Sequence, residues 1–458
     1  MKPDVRAQTF LVLGLGRSGC AAGALLRRHG ARVIGADDAD RTAVARRWQR
    51  EDLEELAESA FDEVRTGAQW RQIMPTSLDA VVLSPGVPPD NPGLVALRDA
   101  GVPVRGELEW AARFFGGRVV AVTGTNGKST TTAWIAHVLD GAGFTSPALG
   151  NLGRPFAAEA DLLPDAAVPV VECSSFQLET IDTLRPAVGV VLNLAPDHLD
   201  RYDDLAGYYA AKARLADHVA DDGTFVTWTG CREALSWAHP GERLLFGDHT
   251  AGADVWLADG MVRVRRGGAV HDLVALADLA LQSPPNQLNA AAVVAAVLPL
   301  VDDLDAVASG LRGFRGLAHR HQLVGRLGGV RFVNDTKATN VHAVCAGLRG
   351  YPSPVVLIVG GSGKGEDYAP LREVMDSVRH VVTIGQEGPA IARALAGCVT
   401  ITSASDLKSA VAEAARLAAP EATVLLSPAC ASFDMFSNYR ERGEAFAAAA
   451  RDLGARKE

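Results

Sequence analysis

The chain has 458 residues, 48% of them hydrophobic and 22% charged, with a net charge of −9. That length predicts about three domains rather than one core, and an acidic balance without any long Lys/Arg block excludes a nucleic-acid-binding surface. No apolar run approaches the ~20 residues of a membrane helix, the polar stretch Met1 to Thr9 predicts no secretory signal, and six scattered cysteines without a C-x-x-C pair suit reduced thiols in a cytoplasm.

Short apolar runs alternate with helical patterns from end to end, which predicts an α/β chain with parallel sheets. In chain order the first third carries strands at TFLVLG (9–14), ARVIGAD (31–37), DEVRTG (62–67), DAVVLSPG (79–86) and VPVRG (102–106). The middle begins with RVVAVTG (118–124), VPVVECSS (168–175) and VGVVLNL (188–194). It continues with ADVWLADGMVRVRRGG (253–268), a hairpin turning at Asp259-Gly260. The last third holds VRFVNDT (330–336), VVLIVGG (355–361), HVVTIG (380–385) and TVLLSP (423–428). No repeat with a period of 20 to 50 residues is present. Glycine-bearing segments near 105 and 316 are the expected boundaries, giving domains 1–105, 106–316 and 317–458.

Three glycine loops follow predicted strands. In VLGLGRSG, Gly14, Gly16 and Gly19 form G-x-G-x-x-G ahead of a helix over Ser18 to His29, with Leu15 and Arg17 between them. Asp37 ends the next strand, 18 residues past Gly19, where a ribose-binding acid belongs. A dinucleotide, a nicotinamide cofactor or a nucleotide-sugar would each satisfy this loop. In AVTGTNGKST, Val122 stands where a phosphate loop usually has glycine. The stretch Gly124, Thr125, Asn126, Gly127 still leads into a helix at Lys128, so backbone N–H groups can meet phosphate oxygens. Lys128 can neutralise β/γ charge, and Ser129, followed by Thr130, can offer a hydroxyl to Mg²⁺. In LIVGGSGKGED, Lys364 offers a cation to a phosphate or to a substrate carboxylate.

An ATP site needs oxygen ligands for Mg²⁺ at neighbouring strand ends. Glu172 stands at one such end, and Asn193, Asp197 and His198 lie just past another. By themselves Asp197 and Asp200 could be solvated loop charges, but taken with the phosphate loop the arrangement favours catalysis. Lys212, in the amphipathic pattern YYAAKARLADH, reads by itself as a surface lysine.

GTNGKSTTT, LGNLGRP, ECSSFQLE, NLAPDHLDRY, YAAKARL, NDTKATN, GGSGKGED and SPACASFDMF occur in this order along nearly the whole chain. In this the chain resembles the Mur ligases, cytoplasmic enzymes that build the peptidoglycan stem peptide. NDTKATN and SPACASFDMF are similar to the branch that adds D-glutamate. The resemblance implies an N-terminal Rossmann-like domain for the UDP part of the substrate, a central P-loop ATPase-like domain with a mainly parallel sheet, and a C-terminal Rossmann-like α/β domain for the amino acid. It implies an ATP- and Mg²⁺-dependent ligase joining D-glutamate to UDP-N-acetylmuramoyl-L-alanine through an acyl phosphate, expected to be a cytoplasmic monomer without nucleic-acid or membrane partners.

By the same resemblance, Gly124 to Thr130 hold the ATP phosphates, and Lys128, His198 and Lys212 are catalytic. Ser129, Glu172, His198 and Lys212, the last as a carbamate, serve the metal. Asn286, Asn289, Arg320 and Asp335 meet the nucleotide. Gly14 to Ser18, Asp37, Ser84, Gly86 and Asn151 meet the UDP-substrate. Lys337, Thr339, Lys364, Ser432 and Tyr439 meet D-glutamate, with a closing hinge near Gly316. Three positions depart from the family pattern. Pro285 stands where a histidine is common, Asp38-Ala39 where a Thr-Arg pair is common, and the third glycine loop lacks the aspartate common before its Gly-Lys. With acids after the second strand, a diphosphate must find its partners elsewhere, at the helix beginning near Gly16 to Ser18.

Competing readings remain at this point. A nicotinamide oxidoreductase leaves GTNGKST idle, a folylpolyglutamate synthase-like ligase lacks the N-terminal domain, and a nucleotide-binding scaffold needs neither Lys212 nor His198.

Overall fold

The computed structural model describes residues 2–198, 201–249, 252–349, 351, 354–363 and 365–456. The chain is mixed α/β, built on three sheets. The first contains β1 (Thr9–Leu13), β2 (Arg32–Asp37), β3 (Glu63–Thr66), β4 (Ala80–Leu83) and β5 (Val104–Gly106) in the order β3-β2-β1-β4-β5. All its pairings are parallel. Its central strands read as unbroken apolar runs because both faces are covered. From β1, Phe10 and Val12 enter one core, while Leu11 and Leu13 enter another.

The second sheet contains β6 (Val120–Thr123), β7 (Ala148–Gly150), β8 (Val170–Glu172), β9 (Val188–Val191), β10 (Thr224–Trp228), β11 (Glu242–Gly247), β12 (Val255–Ala258), β13 (Met261–Arg266) and β14 (Ala269–Ala275). Their order is β14-β13-β12-β11-β10-β9-β6-β8-β7, parallel except for β12-β13 and β13-β14. The third contains β15 (Gln322–Leu327), β16 (Val330–Asn334), β17 (Val355–Gly360), β18 (Val378–Ile384), β19 (Thr400–Ser403) and β20 (Thr423–Leu426) in the order β15-β16-β20-β17-β18-β19.

This topology decides where ligands can bind. In the first sheet the chain leaves β1 toward β2 on one side and later returns to place β4 on the other. In the second, β6 lies between β8 and β9. Each is a topological switch point, where the two following connections diverge and leave a crevice beyond the carboxyl ends of the strands. The first and second glycine loops sit at those two crevices.

The first two sheets belong to one compact unit. Arg28 makes a bidentate pair with Asp161 at 2.6 and 3.0 Å. In helix Glu107–Phe114, the buried Glu109 carboxylate accepts backbone N–H groups of Asp182, Thr183 and Leu184 at 2.8 to 3.2 Å. Arg201 Nη1 donates to the Pro85 carbonyl at 3.1 Å. The third sheet belongs to a second unit, together with residues 195–198 and 276–289.

The predicted strands are present, and the hairpin turns where expected, with Asp259 and Gly260 both at positive φ. Six strands were not anticipated: β7, β10, β11, β14, β15 and β19. β7 has three residues, β14 exposes four of its seven and β19 buries none of its four, so neither run length nor apolar content marks these three. Among the described residues no helix is long and apolar enough to cross a membrane.

Candidate functional site

Beyond β1, a cleft of about 500 Å³ is lined by the glycine turn, the start of helix Arg17–Arg28, the end of β2 and the 84–88 loop. Gly14, Gly16, Arg17, Ser18, Asp37, Ser84, Gly86 and Asn151 all border it. Sequence reasoning had grouped these eight residues, with Leu15, for one ligand. The turn depends on close approach: a Cβ at Gly19 would sit 2.0 Å from the Gly14 carbonyl oxygen. Ser84 Oγ donates to that same carbonyl at 2.6 Å, joining the turn to the end of β4.

Asp37 is committed within the protein. Its Oδ2 accepts Leu15 N–H at 3.0 Å and Arg47 Nη1 at 2.7 Å, and its Oδ1 accepts Ala39 N–H at 2.9 Å. Asp38 accepts from Trp70 Nε1, Arg71 Nη2 and Asn91 Nδ2 at 2.9, 2.8 and 2.5 Å. Arg47 was not anticipated. It lies in a helix of mainly exposed polar residues, Arg41–Glu51, and nothing local separates it from its neighbours.

The second loop is held from beneath by Asn193. Its Oδ1 accepts Asn126 N–H at 2.9 Å, its Nδ2 donates to the Asn126 carbonyl at 3.0 Å, and its own carbonyl accepts Thr125 N–H at 2.9 Å. Gly127 caps helix Lys128–Gly141 at φ +85°, a backbone angle that disfavours any side chain. The Thr125 and Asn126 N–H groups are thus committed to Asn193, and what the loop offers an anion is the helix start at Gly127. Thr125 Oγ1 lies 3.2 Å from Tyr208 Oη. Lys128 Nζ donates to the carbonyls of Gly124 and Thr125 at 2.9 and 2.7 Å.

The reading of Lys212 as a surface lysine is overturned. In helix Leu205–Asp217 it is 1% exposed, with Nζ 2.9 Å from the Gly124 carbonyl, 3.4 Å from Thr123 Oγ1 and 4.8 Å above the Tyr208 ring. Two ammonium groups, Lys128 and Lys212, thus share one carbonyl oxygen. Glu172, 2% exposed, faces this end of the sheet from β8, paired in register with Val122. Asn151 Nδ2 donates to its Oε1 at 2.8 Å, while its Oε2 is buried without a hydrogen bond among the described residues. Ser129 is buried one residue into the helix.

Within the second unit, Asp335 follows β16 and accepts His321 N–H at 3.1 Å and Ser427 Oγ at 3.0 Å. Burial pushes its carboxyl above the usual range. Arg320 lies between His319 and His321, both at positive φ. Lys337 Nζ sits 4.2 Å above the Tyr439 ring, and Thr339 N–H donates to the Lys337 carbonyl at 2.8 Å. Ser432 is buried beyond β20.

What aligns these loops is Arg442, wholly buried. It donates to the carbonyls of Thr336, Cys430 and Ala431 at 3.0 Å and to Thr336 Oγ1 at 2.9 Å. Burial lowers its pKa to about 10. Sequence reasoning passed over Arg442, which stands among other charged residues in YRERGE. Asn286 and Asn289 begin helix Pro284–Val297 and are linked side chain to side chain at 3.2 Å. His198 has φ +55°, and its N–H donates to Asp197 Oδ1 at 3.0 Å. Lys364 lies outside the described residues. So do Asp200 and Leu199.

Comparison with known proteins bears on both units. The family profile of the Mur ligase middle domain matches residues 122–297, and that of the Mur ligase glutamate ligase domain matches residues 319–430. A UDP-N-acetylmuramoylalanine–D-glutamate ligase of Anaeromyxobacter dehalogenans is 41% identical, with 97% of each chain covered. The enzyme of that name from Myxococcus xanthus is 40% identical, covering 96% of this chain and 97% of its own. Among solved structures, the MurF ligase of Thermotoga maritima in complex with ADP has a TM-score of 0.61 at 15% identity, covering 99% of this chain and 100% of its own. The UDP-N-acetylmuramate-alanine ligase of the same organism has a TM-score of 0.59 at 18% identity, covering 97% and 99%. These two share the fold.

Proposed function

The chain belongs to the Mur ligases, and from that premise we propose how its loops divide the work of joining D-glutamate to UDP-N-acetylmuramoyl-L-alanine at the expense of ATP. The reading assigns residues 1–105 to the UDP part of the substrate, 106–316 to ATP and 317–458 to the amino acid. The enzyme acts in the cytoplasm, as a monomer, in peptidoglycan precursor synthesis.

The observation that carries this reading is the shared acceptor at the end of β6. Two ammonium groups on one carbonyl oxygen repel each other, and a polyanion beside the Gly124–Thr130 loop relieves that repulsion. Converting Lys212 to a carbamate relieves it as well. Magnesium suits the donors present. Glu172 Oε2 is a buried carboxylate oxygen with no hydrogen bond among the described residues, and Ser129 offers a hydroxyl. No group of three or more acidic, histidine or cysteine side chains gathers among the described residues. Magnesium is commonly held by one or two carboxylates together with the phosphates of its substrate. Glu172, Ser129, His198 and carbamylated Lys212 would hold it, and bound Mg²⁺ supplies neutralisation of phosphate charge.

The substrate carboxylate attacks the γ-phosphorus of ATP, ADP leaves, and an acyl phosphate remains. The amine of D-glutamate then adds to the acyl carbon, gives up a proton, and phosphate departs to leave the amide. A carboxylate approaching a triphosphate meets repulsion, so catalysis lies in positioning and charge neutralisation. Lys128 and Arg320 meet that charge, and Asn286, Asn289 and Asp335 place the nucleotide. Lys337, Thr339, Lys364, Ser432 and Tyr439 receive D-glutamate, whose two carboxylates need cations and hydroxyl donors. The decisive experiment is phosphate release with UDP-N-acetylmuramoyl-L-alanine, ATP and a panel of D- and L-amino acids. Release with D-glutamate alone is expected, and equal release with L-glutamate or L-alanine overturns the assignment.

A further inference from the structure

The cleft beyond β1 presents a charge problem. Two carboxylates, Asp37 and Asp38, border it together with two guanidinium groups, Arg17 and Arg47. A diphosphate brings two more negative charges, which cannot rest against carboxylates unless cations intervene. Asp38 is already compensated: Arg71, Trp70 and Asn91 donate to it. Asp37 uses three of the four acceptor sites of a carboxylate on Leu15 N–H, Ala39 N–H and Arg47. One acceptor site is left for a ribose hydroxyl, the group first expected to meet it. Asp37 is well placed for another task, because one of its oxygens holds the middle of the glycine turn and Arg47 together.

Arg47 has donors to spare. A guanidinium carries five N–H groups. The Nη1 bond to Asp37 is its hydrogen bond among the described residues, and its side chain is 31% exposed. The charge-assisted contact, at 2.7 Å, fixes the fork while leaving the other donors at the edge of the cleft. Arg17 is the weaker candidate: its Nη2 is turned to the Glu51 carbonyl at 3.2 Å, and no contact ties it to the glycine turn through a shared acid.

We propose that Arg47 is the cation that binds the diphosphate of the sugar nucleotide, and that Asp37 acts as a positioning residue that presents it beside the amides of the Gly14–Ser18 turn. The specificity for a diphosphate over a bare nucleoside resides in that guanidinium and not in the loop after β2, where Asp38 and Ala39 offer no cation. This inference rests on the sugar-nucleotide reading of the cleft given above.

The test is direct calorimetric binding of UDP and of uridine to the full chain, so that it does not depend on turnover. Arg47→Gln should weaken UDP by about 10- to 100-fold, the usual worth of a hydrogen bond to a charged group, and uridine by less than about threefold. Arg47→Lys should recover part of the loss. Removing Arg47 also leaves Asp37 uncompensated, so the double variant Asp37→Asn/Arg47→Gln is the control. If Arg47 contacts the diphosphate, the double variant binds UDP as weakly as Arg47→Gln, whereas recovery of UDP binding would show that Arg47 only neutralises Asp37 and overturns the proposal. Equal weakening of UDP and uridine, or no weakening of either, overturns it too. Wild-type turnover with UDP-N-acetylmuramoyl-L-alanine and D-glutamate is measured alongside. Failure of that reaction removes the functional reading, while failure of the calorimetric difference removes only Arg47.

Discussion

The turn after β1 and the turn after β6 have the same construction, a central strand running through glycines into a helix at a switch point, yet they treat charge in opposite ways. The first is a wide cleft whose acids are neutralised one by one, Asp37 by Arg47 and Asp38 by Arg71. The second gathers like charges, Lys128 and Lys212, onto one backbone oxygen and leaves a buried carboxylate oxygen of Glu172 with no hydrogen bond among the described residues beside the same sheet end. A balanced cleft binds its ligand without needing it for its own integrity. The second places two amines and a buried carboxylate at one sheet end, which suits the place where charge must be moved during a reaction.

The sharpest way to break this contrast is in the second loop. Lys128→Ala should lower ADP formation by at least about 100-fold, the scale of removing one preorganised stabiliser of transferring charge, while sugar-nucleotide binding stays within a factor of about three. Equal loss of both, measured by ADP assay and calorimetry, would mean the two loops are not separate sites. Lys212→Met should cost roughly as much in turnover, with the fold intact by near-ultraviolet circular dichroism. If Lys212 works as a carbamate, wild-type activity should also fall when bicarbonate and carbon dioxide are purged from the assay. Unchanged activity after purging would leave Lys212 as an ammonium.

In the first loop the informative change is milder. A Cβ at Gly16 meets nothing within 4 Å, and its φ of −86° suits any residue. Gly16→Ala should therefore leave the melting temperature nearly unchanged while raising the KM for the sugar nucleotide by about 10-fold, because the only thing left for the methyl to touch is the ligand. An unchanged KM would place the diphosphate away from this turn.

The last expected effect is on stability and not on turnover, and concerns Glu107, buried where the first helix beyond β5 meets the Phe156–Ala158 turn. Burial raises its pKa from 4.5 to about 7, opposed by hydrogen bonds from Ala157 and Gln177. The folded chain then holds a proton there that the unfolded chain has released, so stability falls as pH rises from about 4.5 through about 7 and levels off above. Glu107→Gln should remove that slope. It should be more stable than the wild type at pH 8, by an amount on the order of 1–3 kcal/mol, and about equal to it at pH 5. A difference that does not grow with pH would locate the titration elsewhere.

Much of this was legible in the sequence, and the reasons are physical. Glycine loops announce themselves because a tight turn into a helix tolerates few other residues, as the collision at Gly19 illustrates. Buried parallel strands read as apolar runs, so β1, β6 and β17 were plain, while the exposed β14 and β19 were not. Lys212 was misjudged from its own neighbours because its burial is made by Thr123, Gly124 and Tyr208, two of which come from a strand end 88 and 89 residues away. Arg47 and Arg442 escaped notice for a related reason. Each sits among other arginines in its helix, and only tertiary partners distinguish the one that matters.

The hydrogen bonds that Glu109 accepts from the 182–184 backbone, the Arg28–Asp161 pair and the reach of Arg201 to Pro85 have a further consequence. They fasten the first sheet and its following helix to the second sheet through contacts that do not involve residues 115–119, the stretch between that helix and β6. A single proteolytic nick in that link should leave the two fragments associated and melting together, as one cooperative body, so the two sheets are parts that evolution can reshape only in concert.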